Sequence, residues 1–140
     1  MVRLFHLLVF ICAFGVSAQE DTQEEGMLEW VQKGDFYMDK GRLQLAVTEY
    51  EKALSAGAGS APFLNRISAL YMQTGQFHKA LKTLRASLRE EPGQLVLYSR
   101  IGEVHLAMGQ LDSAIASVDY ARKLIPDNSA VHSALAFLLL

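Results

Sequence analysis

Apolar and polar residues alternate at helical spacing through most of this chain. Trp30 and Tyr37 lie two helical turns apart, Ala46 and Tyr50 lie one turn apart, and a polar break ending at Gly41 separates the two pairs. Apolar residues at steps of three and four predict amphipathic helices. Glycine just after the first apolar stretch favours a helix end there, because it adopts the left-handed backbone at low cost. The pattern therefore predicts a pair of helices joined by a short turn.

The same arrangement recurs every 34 residues, as Gly41, Gly75 and Gly109 show. Further positions that keep this spacing are Trp30, Leu64, Tyr98 and His132; Gly34, Ser68, Gly102 and Ala136; Ala46, Ala80 and Ala114; Tyr50, Leu84 and Val118; and Pro92 and Pro126, with Ala58 at the first equivalent place. Agreement of so many positions at one offset predicts an array of helical repeats.

This pattern resembles the tetratricopeptide repeat (TPR) family, whose 34-residue motif has large residues, glycine, alanine and proline at these places. The resemblance covers Met27 to Asn128 as three full repeats, with Ser129 to Leu140 beginning a fourth. It implies an all-α fold of helix-turn-helix repeats stacked as a short right-handed α-solenoid. We therefore expect repeats at residues 27–60, 61–94 and 95–128, followed by a partial fourth repeat or capping helix at 129–140.

Small residues within the repeat predict where its two helices cross. Gly102 on the first helix and Ala114 on the second helix of repeat three would let the two backbones approach closely. Pro92 and Pro126 are expected to end the second helices. Departures from the motif are Lys33 at an apolar position, His105 for tyrosine, Ser87 for alanine and Ala58 for proline. Repeat one is accordingly predicted to be the weakest, with an end that frays unless something else holds it.

The N-terminus has the three parts of a secretory signal peptide. Arg3 supplies a positive charge, residues 4–14 are almost wholly apolar, and small residues end at Ala18. We predict a signal peptide at 1–18 with cleavage before Gln19. The alternative is an uncleaved membrane anchor, but the apolar run is shorter than the roughly 20 residues that cross a bilayer. Export is therefore expected, with the periplasm preferred and secretion as the alternative.

Cleavage would remove Cys12, the only cysteine, so the mature chain could form no disulfide. Residues 19–26 are acidic and lack large apolar side chains, which predicts a short disordered leader. The chain has 13 basic and 15 acidic residues, and its net charge is −2. Nucleic acid is not expected as a partner, because phosphate binding requires a clustered basic excess.

The sequence offers little chemistry for catalysis. Beyond the signal peptide the histidines are His78, His105 and His132, which occupy three different positions of the repeat. A buried, hydrogen-bonded role is predicted for His105, with a metal site shared with His132 as the weaker alternative. Trp30 is predicted to fill the core. We expect no cofactor and no metal, and we expect that the chain is not an enzyme.

In the TPR family the first helices line a concave groove, and the resemblance carries this role onto named positions. The groove residues are Val31, Asp35, Met38, Asn65, Ala69, Met72, Gln73, Ser99, Glu103 and Leu106. This surface fits a protein segment with apolar anchors and some basic character. A TPR subclass binds C-terminal carboxylates through Lys and Asn on its first repeat and Lys or Arg on its third. Val31, Asp35 and Val96 occupy such places here, so only Arg100 matches and that mode is not expected.

The C-terminal segment Ala134 to Leu140 is almost entirely apolar. Terminal repeats usually carry a polar outer face, so this segment predicts contact with a partner or with a second copy. It is too short to span a membrane, and no stable membrane insertion is expected after signal cleavage. The leading functional prediction is an exported scaffold or adaptor that binds proteins in its groove. The alternative is a structural subunit of an envelope assembly that associates through residues 134–140.

Overall fold

The computed structural model describes residues 24–129, 132, 133 and 136. Every regular element in this part of the chain is an α-helix, which confirms the all-α prediction. The helices are α1, which covers residues 24–39, α2 (Leu43–Ser55), α3 (Ala61–Gln73), α4 (Phe77–Glu90), α5 (Leu97–Ala107) and α6 (Leu111–Leu124). Residues 129, 132, 133 and 136 are helical as well.

The helices form two compact units divided after Ala58. The first unit contains the α1–α2 hairpin. The second contains the hairpins α3–α4 and α5–α6, and α4 packs against α5. Helical hairpins are thus the repeating element, as the 34-residue period predicts.

The three periodic glycines end the first helix of each hairpin. Gly41, Gly75 and Gly109 have φ values of +66°, +72° and +73°. In the last of these turns, the backbone N–H of Gln110 donates to His105 O at 2.9 Å and that of Gly109 to Leu106 O at 2.9 Å. This pair of bonds is the Schellman motif, which satisfies carbonyls at a helix end. The predicted role of these glycines is confirmed.

The end of α2 has a cap that the sequence analysis missed. Gly57 has a φ of +101°, its N–H donates to Leu54 O at 3.1 Å, and the N–H of Ala58 donates to Ala53 O at 2.9 Å. These bonds form the same Schellman motif, and the glycine lies one residue before the place that proline takes in the other repeats. The backbone at the end of repeat one is therefore hydrogen-bonded in place.

Proline ends the second helices as predicted. Glu91, which precedes Pro92, has φ −132° and ψ +89° and caps α4, because proline disfavours helical backbone in the residue before it. Ile125 before Pro126 behaves in the same way. The following helix, α5, begins at Leu97, two residues after the expected start of repeat three.

Part of the predicted disordered leader is helical. Glu24, Glu25 and Gly26 already belong to α1, so the boundary at residue 26 was wrong. Glutamate is a good helix former, and acidic composition alone does not distinguish a solvated helix from a disordered segment. The predicted signal peptide at 1–18 and the rest of the leader lie outside the described residues.

Close helix crossings occur at two of the glycines within first helices, Gly34 and Gly102. A Cβ atom on Gly102 would lie 2.5 Å from Val118 Cγ2 and 3.2 Å from the carbonyl oxygen of Ala114. A Cβ atom on Gly34 would lie 2.2 Å from the ring of Tyr50. Ala114 is fully buried. The predicted close approach of α5 and α6 is therefore confirmed.

Candidate peptide-binding groove

One face of each first helix in the second unit carries the predicted groove residues. On α3 and on α5 these residues follow at steps of four and three, which places each set on a single helix face. The set on α3 is Asn65, Ala69 and Met72, followed by Gln73, and the set on α5 is Ser99, Glu103 and Leu106. We refer to these seven residues as the groove face.

Asn65 has only half of its side-chain amide satisfied. Its Nδ2 donates to Oε1 of Gln94, which precedes α5. Its Oδ1 is buried and has no hydrogen-bond partner. A buried polar atom without a partner costs roughly 1–3 kcal/mol. The amide is thus held in place through its nitrogen, while its oxygen is enclosed without a hydrogen-bond partner.

Ser99 is the equivalent residue of the next repeat and has the same property. The residue is 6% exposed, and its Oγ is buried without a hydrogen-bond partner. Such orphaned groups are uncommon in folded proteins. The two orphaned oxygen atoms, on Asn65 and Ser99, lie one repeat apart on successive first helices.

The remaining groove-face residues supply apolar surface and one charge. Ala69, Met72 and Leu106 are half-buried, whereas Gln73 and Glu103 are exposed. Methionine adapts its shape to different apolar ligands. The groove face therefore combines unsatisfied polar atoms with apolar contact area and a carboxylate.

The groove residues of α1 belong to the first unit. Val31, Asp35 and Met38 follow at the same four- and three-residue steps and are half-buried. The carboxylate of Asp35 accepts a hydrogen bond from the hydroxyl of Tyr50, a fully buried residue of α2. Asp35 thus has a structural partner that the sequence analysis did not foresee. A role of these three residues in binding stays a prediction.

Gln94 is a residue of the site that sequence reasoning missed. Its Oε1 accepts from Asn65, and its Nε2 donates to Oγ of Ser87 at 3.0 Å. Ser87 in turn donates to the carbonyl oxygen of Ala61 at 3.4 Å. No periodic signal marks Gln94, because it lies in the turn between α4 and α5. In the sequence, only Ser87, which replaces the alanine of the motif, indicated a polar network here.

The histidines do not converge. His105 is 8% exposed, and its Nδ1 lies 2.7 Å from Oε1 of Gln110, which confirms the buried, hydrogen-bonded role. Nε2 of His132 instead contacts the carbonyl oxygen of Pro126. Within residues 24–129, 132, 133 and 136, no group of histidine, cysteine or acidic side chains is arranged to hold a metal ion.

Trp30 departs from its predicted core role. It is only half-buried and lies at the edge of a cleft of about 590 Å³ between α1 and α2. Lys52 on α2 and Gly26 on α1 also line this cleft. Packing by a neighbouring helix is needed to bury so large a side chain, and the first hairpin alone does not enclose it.

The apolar C-terminal segment lies almost entirely outside the described residues. Of residues 134–140 only Ala136 is described, and it is helical and exposed. A contact through this segment therefore stays a prediction. No helix in the described ranges has the length and apolar character that crossing a membrane requires.

Two family models match this sequence, and both are described as tetratricopeptide repeat. One matches residues 30–56 and the other residues 73–138. A search of curated proteins gave no match.

Solved structures with similar folds include several TPR domains. The second TPR domain of human RPAP3, solved in complex with an HSP70 peptide, has a TM-score of 0.70 and 15% identity, and the match covers 84% of this chain and 98% of that one. The Arabidopsis OM64 TPR domain has a TM-score of 0.67 and 19% identity over 83% of this chain and 96% of that one. MamA has a TM-score of 0.70 and 18% identity over 91% and 74%.

These identities establish the fold alone. The helical hairpins, the glycine stops between their helices and the matches to both family models lead to one conclusion: this chain contains tetratricopeptide repeats, a fold typical of protein-protein interaction modules.

Proposed function

We propose that this chain is an exported scaffold or adaptor that binds a segment of another protein on its groove face. The observation that carries the proposal is the pair of orphaned oxygen atoms, Asn65 Oδ1 and Ser99 Oγ. Both atoms are buried, so the side chains around them must shift before the backbone N–H and C=O groups of an extended peptide can satisfy them. Binding would remove the free-energy cost of leaving these atoms unpaired, so the ligand gains affinity from hydrogen bonds that the free protein lacks.

The chemistry of the groove face defines the ligand. Met72 and Leu106 offer apolar contact to an aliphatic or aromatic anchor. Glu103 is exposed and forms no ion pair among the described residues, so a lysine or arginine beside that anchor would complement it. The preferred ligand is an extended or helical segment with an apolar anchor and a neighbouring basic residue.

An acidic C-terminal tail is not the proposed ligand of this surface. The RPAP3 domain was solved with an HSP70 peptide, but likeness to it extends to the fold only. Val31 and Asp35 stand in this chain where the resemblance would require Lys and Asn for such a carboxylate, and Val96 stands where it would require Lys or Arg. Arg100 alone offers a positive charge.

A comparative pull-down tests the proposal. The full chain and a Met72→Glu/Leu106→Glu variant are used to capture proteins from envelope extract, after far-UV circular dichroism has established that both are equally helical. The proposal expects a partner that the variant loses. Leu45→Glu/Leu111→Glu is the matched control, because both leucines are exposed and lie outside the groove face. Partners retained equally by all three chains would overturn the assignment of the groove.

A further inference from the structure

A second concave surface of the second unit is formed by α4, α5 and α6. This cleft has a volume of about 630 Å³, a size typical of ligand pockets. Leu88 and Ile101 contribute apolar side chains to it, and Tyr98 and Tyr120 lie beside them. The two tyrosine rings are 4.8 Å apart at an angle of 64°, which is an edge-to-face arrangement. None of these residues belongs to the groove face.

The rim of this cleft is positively charged. Arg85 and Arg89 of α4 line it, and no acidic residue does. Together with Lys82 they follow at steps of three and four along one exposed helix face. In the described part of the chain none of the three forms an ion pair. The whole chain has a net charge of −2, so the positive charge of this face is opposite in sign to the net charge of the chain.

Two guanidinium groups beside an aromatic pair form a chemically specific surface. Arginine binds carboxylates through two parallel hydrogen bonds, which a lysine cannot do. Tyrosine and arginine are also among the residues enriched at the energetic centres of protein interfaces. Tyr120 is 48% exposed, so a large aromatic side chain already faces the solvent at this site.

We propose that the cleft between α4, α5 and α6 docks an acidic segment of a partner protein, with an apolar anchor side chain inserted beside Tyr98 and Tyr120 and flanking carboxylates bound by Arg85 and Arg89. This surface is separate from the groove face and prefers a ligand of the opposite charge. The chain thereby has two docking surfaces, one for a basic apolar segment and one for an acidic apolar segment.

The shape of the site favours a protein segment over a membrane surface. An anionic bilayer requires only a basic patch that lies against its head groups. The two arginines here instead border a concavity whose lining includes Leu88 and the largely buried Ile101. A protruding side chain can fill such a concavity, whereas a flat layer of lipid head groups cannot.

The first test measures binding of a fluorescein-labelled peptide, Glu-Asp-Phe-Glu-Asp, to the full chain by fluorescence anisotropy. Arg85→Gln/Arg89→Gln is expected to weaken binding at least tenfold, and the affinity of the unchanged chain should fall as salt rises. Lys40→Gln/Arg42→Gln removes the same charge from exposed positions of the first hairpin and is expected to leave the affinity within twofold. Equal loss in both variants would indicate nonspecific charge attraction and overturn the site.

A second variant tests the concavity with both arginines intact. Ala116 is exposed and lines the cleft, so Ala116→Trp should fill the space without disturbing the buried core. It is expected to weaken peptide binding at least tenfold at unchanged helical content. A peptide with serine in place of phenylalanine should bind equally weakly. Unchanged affinity of Ala116→Trp would contradict insertion of an anchor side chain.

Failure of this proposal is distinguishable from failure of the groove proposal. Met72→Glu/Leu106→Glu should bind the acidic peptide normally, while Arg85→Gln/Arg89→Gln should retain groove partners. If the unchanged chain does not bind the peptide but cosediments with vesicles of phosphatidylglycerol and phosphatidylcholine through the same arginines, the surface recognises lipid and the proposal is wrong. Absence of binding to both probes would overturn it as well.

Discussion

Two buried serines of the second unit differ in one respect that matters for function. Ser87 donates to the carbonyl oxygen of Ala61 and accepts from Gln94, whereas the Oγ atom of Ser99 has no partner. Ser87 replaces the alanine of the repeat motif and Ser99 stands at a groove position, and residue type alone does not distinguish their environments. The difference predicts opposite effects of the same substitution on stability.

Ser99→Ala should leave the free energy of unfolding unchanged or raise it by up to about 1 kcal/mol, because it removes an unsatisfied buried group. It should also weaken the binding of partners on the groove face about fivefold. Ser87→Ala is expected to destabilise the chain by about 1 kcal/mol through loss of its hydrogen bonds. Urea unfolding followed by circular dichroism measures both effects. A loss of stability in Ser99→Ala as large as in Ser87→Ala would mean that Ser99 is not orphaned.

Position 102 requires glycine because neighbouring atoms leave no room for a Cβ atom, and not because of its backbone conformation. Gly102→Ala places a methyl group against the stiff side chain of Val118 and is expected to destabilise the chain by about 1–3 kcal/mol. Gly26→Ala is the contrasting change, because the nearest side-chain atom, in Trp30, would be 3.8 Å away. It should stabilise α1 by about 0.5–1 kcal/mol through helix propensity. Thermal unfolding that shows equal destabilisation by both changes would contradict the crossing geometry.

The register of α6 against α5 determines whether Ser113 or Ala114 tolerates a larger side chain. Ala114→Leu should overfill the crossing and destabilise the chain by about 1–3 kcal/mol, since Ala114 is fully buried. Ser113→Leu, at an exposed position, should change the stability by less than about 0.5 kcal/mol. Chemical denaturation of the two variants measures the difference, and similar losses would show that the register is wrong.

The last turns of α6 carry a local charge cluster. Asp119 accepts from Lys123 Nζ at 2.9 Å and from Arg122 Nη2 at 2.7 Å. The hydrogen bond from Lys123 and then that from Arg122 hold the pKa of the Asp119 carboxyl below its ordinary value. A carboxyl whose folded-state pKa is lowered contributes stability above its unfolded pKa and loses that contribution as the pH falls through the folded value.

We therefore expect the Asp119 contribution to be present at neutral pH and lost in the acid range below the ordinary pKa of aspartate. NMR titration of the carboxyl should show its pKa rising toward the ordinary value in Lys123→Gln/Arg122→Gln. Asp119→Asn should abolish this part of the acid dependence of stability. An unchanged Asp119 pKa after removal of both cations would contradict the proposed cause.

For the chain as a whole, export is a proposal that rests on the first 18 residues. Expression of the full chain in a bacterial host, followed by N-terminal sequencing of the protein from the periplasm, should give a chain that begins at Gln19. Ala18→Arg should block cleavage, because signal peptidase sites require a small residue there. Cytoplasmic recovery of an uncleaved chain would contradict export, and recovery of an uncleaved chain in the membrane would indicate an anchor.

The two proposed surfaces share α5 but are built from different residues. First helices carry the groove face, with Glu103 as its exposed charge, and α4 supplies the basic rim of the cleft. An adaptor with surfaces of opposite charge would discriminate between partners electrostatically. Binding of a ligand to one surface should therefore leave the other surface free to bind its own ligand.

The repeat architecture followed from the sequence because its determinants are local. Gly41, Gly75 and Gly109 end helices through their own backbone conformation, and Pro92 and Pro126 act on the residue that precedes each of them. The small size of Gly102 also identified a helix crossing. Such features depend on a few neighbouring residues and recur every 34 positions, so a single sequence is sufficient to detect them.

Contacts between residues distant in the chain were decided only by the tertiary structure. The bond between Asp35 and Tyr50, the role of Gln94 and the half-burial of Trp30 depend on which helices pack together and how closely. The cleft of Arg85 and Tyr120 likewise joins helices that are separate in the sequence. Helical periodicity specifies the face on which a side chain lies, whereas its partners are set by packing distances that periodicity does not contain.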